Sequence, residues 1–289
     1  MSTKGKLCMR KILVTGAGGF VGARILDQWR GRYELCTFPH GFSADSDEAA
    51  VRALIAREKP DVIVHTAALS NTAYCASHPE ESLRANVLLP EWIAKAAAET
   101  GAKLLAFSSD QVYAGCKRSG PLPETLSLAP ANVYGCHKLE AEQRVLAITP
   151  GAILLRAAWM YDFPGYRLPI RGNLPLNLLS AAKTGTALHF SEQDFRGVSY
   201  VREVIDKLIP AMELPGGVYN FGSGNDCDMF ETVSRFAQFL GVEVPLEKDH
   251  WERNLAMSGE KLKDFGIQFD STIQAFQQCL DDYGFGHFE

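Results

Sequence analysis

A glycine-rich turn between an apolar strand and a helix constrains this chain most. KILVTG (11–16) reads as a short buried strand, and VTGAGGFVG (14–22) leads it into a helix at about 20–30. Gly16, Gly19 and Gly22 have the spacing GxxGxxG. The first glycine permits a tight turn, the second lets backbone approach a phosphate group, and the third lets the helix pack closely on the sheet. The helix N-terminus adds unpaired N–H groups and the positive end of its dipole. The turn therefore predicts a dinucleotide site built from Gly16, Gly19, Phe20, Val21 and Gly22.

The alternation that follows sets the fold class. Strands read at 33–38, 61–68, 103–109 and 152–158 alternate with helices at 47–59, 79–101 and from Tyr134 onward. Such alternation predicts an α/β, doubly wound parallel sheet with helices on both faces. The second half is richer in Pro and Gly. It reads as a long loop over 161–176, helices near 174–184, 202–213, 228–240 and 271–281, and a strand at 217–223. Residues 1–156 are expected to form the first domain. Residues 157–289 are expected to form a smaller C-terminal lobe, with parts of 174–222 returning to the first domain.

Composition narrows the partners. With 289 residues and 46% hydrophobic content the chain can bury a sizeable core. The net charge of −5 carries no long run of one sign, which argues against a nucleic-acid groove or a polybasic membrane patch. No apolar run is long enough to span a bilayer. The leader MSTKGKLC lacks a signal-peptide core, so a cytoplasmic location is expected. Seven scattered cysteines without a CxxC predict reduced thiols, with neither a disulfide framework nor a metal site.

A second cluster bears on chemistry. FSSDQVY (107–113) ends the fourth strand, and VYGCHK (133–138) opens the next helix with Tyr134 and Lys138 one turn apart on one face. In this order after the glycine turn, the serine and YGCHK resemble the Ser…YxxxK triad of the short-chain dehydrogenase/reductase superfamily. The chain is most similar to its extended, nucleotide-sugar branch, and within that to the dTDP-4-dehydrorhamnose reductases. The resemblance runs through TGAGGFVG, KPDVIVHTAAL, ESLRANV, AKLLAFSSDQVYAG, PANVYGCHKLEAE and LLRAAWMY. It covers most of the chain, and the C-terminal third only loosely.

The resemblance implies a Rossmann fold, an NADP(H) or NAD(H) cofactor, and a reductase of a 4-keto nucleotide sugar. It allows a homodimer. Ser109 and Tyr134 would hold and protonate the substrate carbonyl oxygen, and Lys138 would hold the nicotinamide ribose. Lys138 is also expected to lower the phenol pKa from its usual value of about 10. Ala67, Ala68 and Asn86 fall where the family meets its cofactor, and Asp110, Trp159 and Arg196 where it meets its substrate.

The second strand ends in Phe38, Pro39 and His40, with no acid to hold adenosine ribose hydroxyls, which leans toward NADP(H). The first acid, Asp45, is either an adenine contact or a helix cap. His137 stands where many relatives carry serine and reads as solvent-facing. Residues 163–175 and 191–200 depart from the reductase pattern. Two alternatives accompany the reductase reading. One is an epimerase or dehydratase that keeps its cofactor through a full cycle. The other is a non-catalytic NAD(P)-binding regulatory subunit.

Overall fold

The computed structural model describes residues 9–165 and 167–285, so the polar leader with Cys8 lies outside the described residues. The chain opens with β1 (Lys11–Thr15), β2 (Glu34–Thr37), β3 (Val62–His65), β4 (Lys103–Ser109) and β5 (Ile153–Ala157). Four short strands follow: β6 (Trp159–Tyr161), β7 (Leu188–Ser191), β8 (Asp194–Arg196) and β9 (Val198–Tyr200). Then come β10 (Gly217–Phe221), β11 (Leu246–Asp249) and β12 (Arg253–Leu255). The central sheet has six strands in the order β10-β5-β4-β3-β1-β2, all pairs parallel. The short strands pair β6 with β9, β7 with β11 and β8 with β12.

The first nine helices are α1 (Phe20–Gln28), α2 (Phe42–Asp45), α3 (Glu48–Glu58), α4 (Thr72–Ser77), α5 (Pro79–Leu83), α6 (Leu89–Thr100), α7 (Val133–Ile148), α8 (Leu174–Thr184) and α9 (Val201–Ala211); α1 and α9 pack on one face of the sheet, and α3, α6 and α7 on the other. Strand alternation decides which core each residue joins. Ile12, Val14, Val62, Val64 and Leu155 pack with Ile25, Val204 and Leu208 of α1 and α9. Leu13, Ile63, Leu104 and Leu154 face the other way, onto Val51, Ile55, Ile93 and Ala97 of α3 and α6. Each such fully buried aliphatic side chain stabilises the fold by about 1.5–3 kcal/mol. Asp47 caps α3 by accepting from Ala50 N at 2.8 Å, and Gly101 ends α6 in the left-handed region at φ 76°.

The structure refines several expectations. The helix read over 79–101 is broken by a π turn at Arg84–Leu88, where backbone hydrogen bonding skips an extra residue. The strand expected over 61–68 stops at His65, and the loop expected from 161 begins after β6. The short strands from β6 to β9, with β11 and β12, carry too few residues for an alternating pattern to stand out. After β9 the chain crosses back: α9 packs on α1, and β10 adds to the central sheet beside β5. Among the described residues no helix is long and apolar enough to cross a membrane.

Candidate active site

The ends of β1, β3, β4 and β5 open into one cleft of about 1020 Å³ at the C-terminal edge of the sheet. Ligands of open α/β folds bind at this edge. Gly16 holds φ +69°, and a Cβ there would stand 2.8 Å from Ala67 N. At Gly22 a Cβ would stand 2.2 Å from Gly16 O, so the helix rests directly on the turn. Gly22 therefore serves packing and does not line the cleft, unlike Gly16, Gly19, Phe20 and Val21. Gly19 is different again: a Cβ would meet only Gly16 O, at 3.1 Å. No side chain caps α1 and its first turn carries no acid, so its N-terminus is left for an anion.

Ser109, Tyr134 and Lys138 line the same cleft. Asn132 caps α7, accepting from Gly135 N at 2.8 Å. Gly135 is needed because a Cβ would stand 2.3 Å from Gln111 O, where α7 lies against the turn after β4. That contact brings the buried phenol of Tyr134 to the hydroxyl of Ser109. Ser109 Oγ donates to Asp110 Oδ1 at 3.2 Å and accepts from Gln111 N at 3.2 Å.

The electrostatics correct one expectation. Burial pushes the Tyr134 phenol up to about 12, with Asp110 and Cys75 adding to the rise while Ser109 and Arg171 oppose it. The Lys138 ammonium does not offset that rise. Its Nζ donates to Phe107 O at 2.6 Å, because a buried ammonium needs an acceptor. Burial pulls Lys138 down to about 8, and Glu142 one turn further along draws it back up. Tyr134 is thus held as the neutral phenol, the form that donates a proton.

A buried polar network supports this wall, and no motif announced it. Glu142 Oε1 and Oε2 accept from Arg156 Nε and Nη2 at 3.0 and 2.7 Å, and Ser108 Oγ donates to Oε1 at 2.5 Å. Arg156 Nη1 donates to Tyr113 OH at 2.8 Å, which donates in turn to Asn220 Oδ1 at 2.8 Å. The network ties β4, β5, α7 and β10 together under the serine and the lysine.

Asp110, Trp159 and Arg196 meet at the far end of the cleft. Arg196 Nη2 donates to Asp110 Oδ2 at 2.6 Å, and its guanidinium lies 5.4 Å over the Trp159 ring. Arg253, on the strand beside Arg196, lines the same end and forms a bidentate pair with Asp194 at 2.8 and 2.6 Å. Sequence reasoning missed Arg253 because it stands in the loosely matching third of the chain.

Other expected contacts fall elsewhere. Ala67 and Ala68 line the cleft, but Asn86 lies behind its wall. Asn86 is buried by the π turn, accepts from Leu69 N at 3.1 Å and donates to Leu69 O at 2.9 Å, so it shapes the loop after β3. Asp45 is exposed at the end of α2 and does not line the cleft, and the cap of α3 is Asp47. Ser43 and Arg84 line that end of the cleft in its stead, Arg84 donating to Ser46 O. His137 is half-buried, with Nδ1 at 2.8 Å from Ser82 Oγ, instead of facing solvent.

The chain resembles known proteins over most of its length. It is 28% identical over 229 residues to the dTDP-4-dehydrorhamnose reductase of Aggregatibacter actinomycetemcomitans, covering 76% of this chain and 75% of that one. It is 37% identical over 161 residues to methionine adenosyltransferase 2 subunit beta of Xenopus laevis, covering 53% of this chain and 47% of that one. The crystal structure of dTDP-4-dehydrorhamnose reductase from Bacillus anthracis in complex with NADP superposes with a TM-score of 0.85 at 19% identity, covering 95% and 98% of the two chains. The sequence model of the RmlD substrate binding domain matches residues 9–249, and the chain belongs to that family.

Proposed function

We propose that this chain is an NAD(P)H-dependent reductase of a 4-keto nucleotide sugar, with Tyr134 as the proton donor. The observation that carries the reading is the placement of Ser109, Tyr134 and Lys138 on one wall of the cleft that starts at the phosphate turn. The likeness to dTDP-4-dehydrorhamnose reductase over three quarters of both chains supports the substrate class. The uncapped α1 N-terminus and the open face of Gly19 fit a dinucleotide pyrophosphate. Bound NAD(P)H supplies the hydride that reduces the carbonyl carbon. Ser109 orients the carbonyl oxygen, and Tyr134 gives that oxygen its proton, so the ketone becomes an alcohol. Lys138 would meet the ribose hydroxyls with the Nζ donors left beyond the one given to Phe107 O. Among the described residues, the first domain would run from residue 9 to 156 together with the returning α9 and β10 and the segment around Leu262 and Ile267, which packs into the same core, and the rest would form the substrate lobe.

Gly19→Val should leave the chain folded, since only Gly16 O stands near, and should weaken NAD(P)H binding at least about tenfold. Fluorescence titration of the reduced cofactor checks this; unchanged affinity in a folded variant would remove the phosphate-turn assignment. With Phe38, Pro39 and His40 at the strand end and Asp45 off the cleft, NADPH should bind at least as tightly as NADH. A clear preference for NADH in parallel titrations would contradict that.

Lys138 makes cofactor binding pH-dependent. Its charged form binds the ribose, so affinity should fall as pH rises through about 8. Stability of the cofactor-free chain should move the other way. An unfolded lysine titrates near ~10.4, so the unfolded chain binds more protons between the two values and the native state gains there. Lys138→Met should flatten both trends in titrations and denaturant melts run from pH 6 to 10; a persisting affinity loss would assign it to another group.

The likeness to the methionine adenosyltransferase subunit favours a second reading, an NAD(P)-binding partner subunit. NADPH binding with no oxidation across a panel of 4-keto nucleotide sugars would select it. Net NADPH consumption selects the reductase, also over an epimerase or dehydratase.

A further inference from the structure

Residues 163–175 depart from the reductase pattern, yet they place a cation over the cleft. Arg171 lies on this loop at the cleft rim. Its Nη1 donates to Ser70 Oγ at 2.8 Å, and its guanidinium stands 5.4 Å from the centre of the Phe20 ring. Phe20 is the first residue of α1, and Ser70 follows the strand-end alanines, so Arg171 reaches from the second half of the chain onto the phosphate-turn side.

The loop is held in that position from below. Arg24, on α1 itself, donates from Nε to Asp162 Oδ2 at 2.6 Å and from Nη1 to Pro169 O at 2.9 Å. The Arg24 and Asp162 side chains are each only 1% exposed. Asn173 Nδ2 closes the other end by donating to Asp162 O at 2.9 Å and Arg171 O at 3.3 Å. One helix therefore offers its N-terminus to an anion and anchors the loop that brings a guanidinium to the same place.

We propose that Arg171 is a second clamp on the cofactor pyrophosphate, closing on it from the side opposite the α1 N-terminus. The inference rests on the NAD(P)H reading above and adds a binding residue to it. Position selects the ligand. Arg171 lies between Phe20, at the pyrophosphate end, and Tyr134, at the nicotinamide end, whose phenol it influences. Arg196 and Arg253 line the substrate end. A planar guanidinium keeps further N–H donors beyond the one given to Ser70, in the fork that suits phosphate oxygens. Partial desolvation at the rim, where the side chain stays exposed, draws its pKa below its ordinary value, and an anion alongside relieves that cost.

The test titrates the whole chain with NADPH and, separately, NADH. Arg171→Met keeps an unbranched stem against Phe20 and removes the charge; Arg171→Lys keeps the charge and loses the fork. The methionine variant should bind both cofactors about tenfold more weakly, one charge-assisted hydrogen bond's worth, and the lysine variant should recover part of that loss. Its unfolding midpoint in urea should match the wild type. Wild-type affinity for both cofactors in Arg171→Met would overturn the clamp while leaving the dinucleotide site standing. Loss confined to NADPH would overturn it in favour of 2′-phosphate recognition. A wild-type chain that binds neither cofactor would overturn the clamp together with the dinucleotide reading.

Discussion

Tyr134→Phe should bind NADPH as the wild type does and reduce substrate about 10²–10⁴ times more slowly, the usual loss for a positioned acid–base group. The substitution keeps the ring, which is buried against the turn after β4, and removes only the hydroxyl that faces Ser109. The phenol is held neutral by burial, with a pKa pushed up to about 12, so its proton is in place before substrate arrives. In the proposed reaction, hydride delivery to the carbonyl carbon would build charge on an oxygen that this proton neutralises. Single-turnover oxidation of NADPH with a 4-keto nucleotide sugar measures the step directly. A near-wild-type rate would remove Tyr134 from the chemistry. Equal loss of cofactor affinity would show that the hydroxyl serves binding instead.

Arg156→Met should destabilise the fold by about 3–5 kcal/mol, the cost of leaving one member of a buried ion pair alone. The Glu142 and Arg156 side chains are each 4% exposed, and Glu142 accepts both guanidinium bonds as well as the Ser108 hydroxyl. Removal of the cation strands a carboxylate between β4, β5 and α7, and Tyr113 loses its donor from Arg156. Urea denaturation at neutral pH measures the loss. The double variant Arg156→Met with Glu142→Met should recover most of it, since no buried charge is then left unpaired. A single-variant loss below about 1 kcal/mol would mean that water reaches the pair. The same substitution should disturb activity, because Glu142 lies one helical turn from Lys138 and draws its pKa up.

The first half of the chain was legible because its signals are local. The glycine turn, the strand at 103–109 and the Tyr134–Lys138 spacing each act within a few residues, through backbone freedom, side-chain alternation and helix periodicity. The six-stranded sheet follows from the order of those elements, with β10 as the late return. The short strands β7, β8, β11 and β12 have no comparable local signal. They exist because distant segments supply their partners: Arg253 of β12 stands opposite Asp194 of β8.

The sequence by itself determined which residue types reach the cleft edge, since Gly16, Gly19, Ser109 and Tyr134 sit at strand ends and helix starts wherever the fold is built. Only the tertiary structure decided where the charges go. Burial sets that outcome: a cation or carboxylate removed from water must find a partner, and the partner is fixed by packing between distant segments. Hence Lys138 turns to Phe107 O, Arg196 closes on Asp110, Asn86 holds Leu69, and Arg171 crosses to Ser70. The spacing of Tyr134 and Lys138 could place them on one helical face. It could not show that the desolvated ammonium would bond Phe107 O, or that burial would hold the phenol protonated.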